Sequence, residues 1–202
     1  TGLAYPVGLA LDGSGRLYVA DYPANAIRVF APGASGDAAP VATIAGEQTL
    51  LAGPTAVAID PGGTIWVANL ASNSLLAFAP GAHGDVAPLA QISGPSTGLA
   101  GPQGLVVDDA GNLLVANTYA SSITEYPVAG FGDQAPLRTI HGADTGLAFP
   151  HGIDVDAQGD IYVANELGGV LRFIRNASGD ARPLHVIAGA STGLRSPVGL
   201  AV

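Results

Sequence analysis

The stretch Pro150-His151-Gly152-Ile153-Asp154-Val155-Asp156, followed after Ala157-Gln158 by Gly159-Asp160-Ile161-Tyr162-Val163-Ala164-Asn165, decides the fold. It reads as two short apolar runs flanking an Asp-x-x-Gly turn. An Asp side chain accepts hydrogen bonds from backbone N–H groups two residues on, and Gly takes the positive-φ position, so the pattern is that of a β-hairpin.

The stretch recurs along the chain. Pro6, Pro54, Pro102, Pro150 and Pro197 are spaced 48, 48, 48 and 47 residues apart. Asp12, Asp60, Asp108 and Asp156 keep the 48-residue beat. The one-residue shortening is expected in the hairpin loop between Leu171 and Asp180. A fixed period of this length marks a repeat architecture.

Outward from the hairpin, each unit opens on Thr-Gly-Leu or a close variant, as at Thr97-Gly98-Leu99 and Thr145-Gly146-Leu147. Its second strand ends at Asp21, Asn69, Asn117 or Asn165, read as turn residues. A third strand is predicted at Ile27–Phe30, Leu75–Phe78, Ile123–Tyr126 and Leu171–Ile174. A Gly-Asp turn then leads to a fourth, ending near Ile44, Ile92, Ile140 and Ile187. Strands such as Leu17-Tyr18-Val19-Ala20 are apolar at successive positions, so both their faces must be covered. No window carries a sustained helical period. The expected fold is therefore all-β, a β-propeller of four-stranded antiparallel blades stacked face to face. The blades fall at about 1–48, 49–96, 97–144 and 145–191, with the inner strand of a fifth at 192–202.

Composition agrees. Of 202 residues, 48% are hydrophobic and only 11% charged, with 29 Gly and 15 Pro to punctuate short strands. All seven basic residues are Arg and the formal net charge is −9, which argues against nucleic acid as a partner. No apolar run is long enough for a membrane-spanning helix, so membrane insertion is not expected. Cysteine is absent, which removes thiolate chemistry and Cys-based metal sites. Methionine is absent too, so the chain reads as a processed product or an excerpt of something longer, with any export signal outside it.

With those residues in hand, the frame Pro-x-Gly-Ile-x-Val-Asp followed by Gly-x-Ile-Tyr-Val-Ala-Asn resembles the NHL-repeat propellers. Vgb-type lyases and lactonase-type propellers share parts of it. The resemblance implies a ring of six or more blades, of which this chain would supply four and a fraction. Completion by neighbouring subunits, or closure with an extra strand at the edge, are the alternatives.

Residues present in every unit are best read as serving every blade. The four turn aspartates belong to their own hairpins, and Asp108-Asp109 with Asn112 lacks the alternating oxygen ligands of a calcium loop. Some NHL-type propellers hold zinc on channel histidines. Here His83, His141 and His185 fall on a hairpin or the outermost strand, so they cannot converge with His151. No nucleophile elbow or phosphate loop is present. No metal, cofactor or catalytic residue is assigned.

Positions where one blade departs from its siblings carry what functional signal there is. After the repeated prolines stand Val7, Thr55, Gln103, His151 and Val198, near one mouth of the channel. Asp154 replaces apolar residues inside the innermost strand, where an unpaired carboxylate is costly. Glu166 follows Asn165 where other blades have Tyr22, Leu70 and Thr118. Thr55, Gln103, His151, Asp154 and Glu166 are therefore the expected ligand site. The expected function is a non-enzymatic, acidic, bacterial binding scaffold for a protein or glycan ligand, secreted, periplasmic or on the cell surface. A lyase or lactonase with its site at the channel, or a structural module of a surface assembly, are the other readings.

Overall fold

Each repeat forms one antiparallel meander whose strands pair in chain order. The computed structural model describes residues 1–202. Blade one comprises β1 (Pro6–Leu11), β2 (Leu17–Asp21), β3 (Ala26–Phe30) and β4 (Ala42–Ile44). Blade two comprises β5 (Pro54–Ile59), β6 (Ile65–Asn69), β7 (Ser74–Phe78) and β8 (Ala90–Ile92). Blade three comprises β9 (Pro102–Val107), β10 (Asn112–Asn117), β11 (Ser122–Pro127) and β12 (Arg138–Ile140). Blade four comprises β13 (Pro150–Val155), β14 (Ile161–Asn165), β15 (Gly169–Phe173) and β16 (His185–Ile187). The only helical elements are single 3-10 turns at Glu47–Thr49, Ala143–Thr145 and Ala190–Thr192.

The core lies between blades. On β6, Trp66 and Ala68 pack with Leu105, Leu113 and Tyr126 of blade three, whereas Ile65 and Val67 pack with Tyr18, Ile27 and Ile44 of blade one. Alternate side chains of one strand thus enter two different cores, which is why the strands read as apolar throughout. A third core joins blades three and four around Leu114, Ile153, Ile161 and Phe173. Leu9, on the outer face of blade one, is 64% exposed, while its equivalents Val57, Leu105 and Ile153 are 4–7% exposed, each covered by the preceding blade.

The repeated turn residues do more than terminate strands. Asp85, Asp133 and Asp180, from the Gly-Asp turns, accept backbone N–H bonds from Gln48, Ser96 and Asp144 of the preceding blade, each at 2.7 Å. Asn25 and Asn73 accept from Gly53 and Gly101 of the following blade at 2.7 and 2.6 Å. Every joint is therefore closed by apolar packing and by the Asp stitch, whereas at the joint of blades three and four Ser121 replaces the Asn, 3.5 Å from Phe149 N.

Asp21, Asn69, Asn117 and Asn165 are fully buried. Each ties the end of its second strand to the loop before its own inner strand: Asn69 accepts from Ala52 N, Asn117 from Ala100 N and Asn165 from Ala148 N. Asn69 and Asn165 also donate to the Leu50 and Gly146 carbonyls. Asp21 lacks an amide donor. It accepts from Ala4 and Tyr5 N–H, and Arg28 Nε sits 3.0 Å from its carboxylate. Burial alone would raise this carboxyl, but the Tyr5 amide, Arg28 and the Ala4 amide outweigh it and hold it below the ordinary value.

Two expectations are corrected. The one-residue shortening lies between Asn165 and Gly169, not between Leu171 and Asp180: Val170 pairs with Ile187 as Ile27 pairs with Ile44. The loop Glu166-Leu167-Gly168 has one residue fewer than Tyr22–Asn25, and Gly169, at φ 82°, closes the tighter turn. The third strand of blade four is accordingly Gly169–Phe173 rather than Leu171–Ile174. Residues 193–202 also form no strand. They run beside β13, where Val198 and Gly199 approach Gly152 and Val202 N–H donates to Asp154, but no second strand pairs with them.

Removing the Arg28 guanidinium by Arg28→Ala leaves a buried carboxylate without its counter-ion. A loss of about 3 kcal/mol is expected in urea unfolding. The double variant Asp21→Asn/Arg28→Leu, which copies Asn69 and Leu76 of blade two, should recover most of it. Additive losses would mean that the pair is not coupled.

Candidate functional site

Each inner strand begins with a β-bulge. Pro6 faces Asp21 and Gly8 faces Ala20, so Val7 is the unpaired extra residue. The same register shift isolates Thr55 between Pro54 and Ala56, and Gln103 between Pro102 and Gly104. In blade four it falls between Pro150 and Ile153, at His151. Proline cannot donate to the ladder and suits the first residue of such a strand, and a bulge re-aims the side chain it carries. The outcome is convergence: Val7, Thr55, Gln103, His151 and the equivalent Val198 line one cavity of about 360 Å³.

Tyr5, Tyr22 and Leu70 complete its wall. The buried staples put these groups there. Asp21 holds the Tyr5 N–H at 2.7 Å, and Tyr22 N–H donates to the Tyr5 carbonyl, which seats the two tyrosines together. Tyr22 also lies against Gly53, where a Cβ would come within 2.9 Å of its ring. In blade four, Asn165 holds Ala148 while Glu166 N–H donates to the Phe149 carbonyl. Phe149 occupies the left-handed region at φ 56°, an uncommon conformation for so large a residue and one taken by glycine at the equivalent Gly53 and Gly101.

The five expected site residues separate into two groups. Gln103 and His151 line the cavity, and Glu166 joins them by accepting a 2.9 Å hydrogen bond from His151 Nε2. This pair is half-buried, with side-chain exposures of 16% for His151 and 37% for Glu166. The Gln103 amide bonds to no group of the chain. Thr55 lines the cavity too, but its hydroxyl donates to the Pro102 carbonyl at 2.8 Å and so fastens blade two to blade three. Asp154 does not line it. Lying beyond the bulge on β13, its carboxylate accepts the N–H groups of Val155 and Val202, both at 2.9 Å, which satisfies the charge without a ligand. Tyr5 and Tyr22 were not among the expected residues. Their signal was present, since position 22 is the repeat equivalent of Glu166 and position 5 immediately precedes a repeated proline.

The opposite mouth has a different character. Its cavity, about 610 Å³, is formed by the hairpin turns of blades one to three around Asp12, Asp60, Asp108 and Asp109. The repeated carboxylates serve their own turns, as the sequence implied. Asp12 accepts from Ser14 and Arg16, Asp60 from Thr64, Asp108 from Asn112 and Asp156 from Gln158 and Asp160. The Ser14 hydroxyl chiefly, with the Arg16 amide and side chain, holds the Asp12 carboxyl far below its ordinary range.

The NHL repeat family model matches residues 3–30, most of the first blade. No curated protein sequence matches the chain significantly. Among solved structures, a streptogramin B lyase superposes with a TM-score of 0.65 at 13% identity, covering 88% of this chain and 54% of that one. A catalytically inactive histidine-to-alanine variant of virginiamycin B lyase from Staphylococcus aureus, with quinupristin, gives 0.62 at 16% identity, covering 85% and 53%. Kuenenia stuttgartiensis hydrazine synthase gives 0.65 at 14%, covering 92% and 51%. At such identities the likeness is one of fold, and the chain spans about half the length of these proteins. The array has the fold of a β-propeller, and the NHL repeat that its frame resembles is matched in its first blade.

The approach of neighbouring inner strands behind the mouth is testable. A Cβ on Gly104 would fall 2.1 Å from the His151 carbonyl oxygen. Gly104→Ala must therefore push β9 and β13 apart, with an expected loss of about 1–3 kcal/mol in urea unfolding. An unchanged midpoint would contradict the close packing that sets His151.

Proposed function

We propose that this propeller is a rigid binding scaffold, exported from a bacterial cell, and that its ligand seats at the mouth lined by the post-proline residues. One observation carries the reading: four successive bulges turn side chains that differ from blade to blade into a single cavity. The hairpin aspartates at the other mouth are engaged by their own turns. Exposed apolar surface on blade one, at Leu9 and Leu11, is a fitting seat for a further blade, from the same chain or a neighbouring subunit. The test is a small-molecule fragment screen by saturation-transfer NMR. Hits on the full chain should weaken about tenfold in Gln103→Ala. They should be unaffected by Asp109→Ala at the opposite mouth. Hits equally insensitive to both would place binding elsewhere.

A second reading is favoured by the His151–Glu166 hydrogen bond, together with the likeness in fold to a streptogramin B lyase. A histidine held by a carboxylate is a competent general acid or base. Under this reading quinupristin is consumed on incubation with the chain, followed by mass spectrometry, and Glu166→Gln slows the reaction. Unchanged quinupristin leaves the scaffold reading alone.

A further inference from the structure

The geometry points to a carbohydrate as the ligand of this mouth, an inference that rests on reading the mouth as a binding site. At about 360 Å³ the cavity is near the lower end of small-molecule pockets, so it suits a terminal sugar unit and not a folded protein surface. Its lining is mixed in a particular way. Tyr5 and Tyr22 are 62% and 37% exposed and present aromatic surface beside Val7, Leu70 and Val198. Blade three contributes the free Gln103 amide, and blade four the His151–Glu166 pair.

A wholly apolar ligand would strand the half-buried Gln103 amide, which has a donor and an acceptor to satisfy. An anion finds no arginine in the wall: none of the seven lines the cavity, and Arg16, Arg28, Arg138, Arg172 and Arg182 are each paired to a carboxylate of the protein. The net charge of −9 opposes it further. A sugar ring matches both halves of the wall. Its C–H face packs on tyrosine, and adjacent hydroxyls pair with an amide that donates and accepts side by side. Glu166 Oε1, which bonds to no group of the chain, can accept a further hydroxyl.

The experiment is a glycan microarray probed with the full chain, followed by calorimetric titration of the strongest soluble oligosaccharide. Binding is expected, weakened about tenfold or more by Gln103→Ala and by Tyr5→Ala. Tyr5→Phe, which keeps the ring, should stay within about threefold of the parent. Equal thermal midpoints for the variants establish that they are folded. A fragment set of aromatic heterocycles and quaternary ammonium ions is titrated in parallel. If those perturb the mouth and no glycan binds, the carbohydrate inference is overturned while the binding site stands. If neither binds, both fall. Glycan binding indifferent to Gln103 and Tyr5 also overturns the inference.

Discussion

A buried polar side chain at the end of each second strand is the constraint on which the rest of the molecule depends. Asp21, Asn69, Asn117 and Asn165 have no access to water, so each must find its partners inside the protein. Each accepts a backbone N–H from the loop that leads to its own inner strand. That requirement fixes the loop and positions the proline and its bulge. Asparagine meets it with one acceptor and one donor. Aspartate has no donor, and blade one answers with Arg28. The exchange shows that the position demands full satisfaction of its polar atoms and does not demand one residue type.

Much of the fold was legible because each requirement repeats. A proline, an Asp-x-x-Gly turn and two doubly apolar strands recur on a fixed beat, and together they specify blade, order and core. What periodicity could not supply was the place of a single deletion. Val170 and Leu171 are both apolar, so either could continue the strand, and only the pairing with Ile187 decides between them. Nor could it show that the Asp of each Gly-Asp turn bonds to the preceding blade. That partner lies a blade away, and local turn chemistry explains the residue equally well. The strand expected near residue 200 required a partner strand to pair with.

The candidate site was partly legible for a different reason. Departures from a repeat mark positions that the common architecture does not dictate, and Gln103, His151 and Glu166 are such departures. Thr55 and Asp154 are departures as well, yet each answers a structural need of this chain: Thr55 bonds the Pro102 carbonyl and Asp154 the Val202 N–H. A variable residue is therefore a site residue only if its polar atoms remain free or face a cavity. The tyrosines at 5 and 22 meet that condition, but they read in sequence as loop residues.

Scaffold and site are thus separable. Staples, stitches and inter-blade cores make a rigid arc, and the bulges hand the arc's interior one side chain per blade. A single ligand-binding mouth formed by these side chains is open to direct test by backbone amide chemical-shift mapping during ligand titration. It predicts shifts concentrated at Val7, Thr55, Gln103, His151 and Val198, with the turns at Asp12, Asp60 and Asp108 unmoved. Shifts confined to those turns or to the outer face of blade one would contradict it.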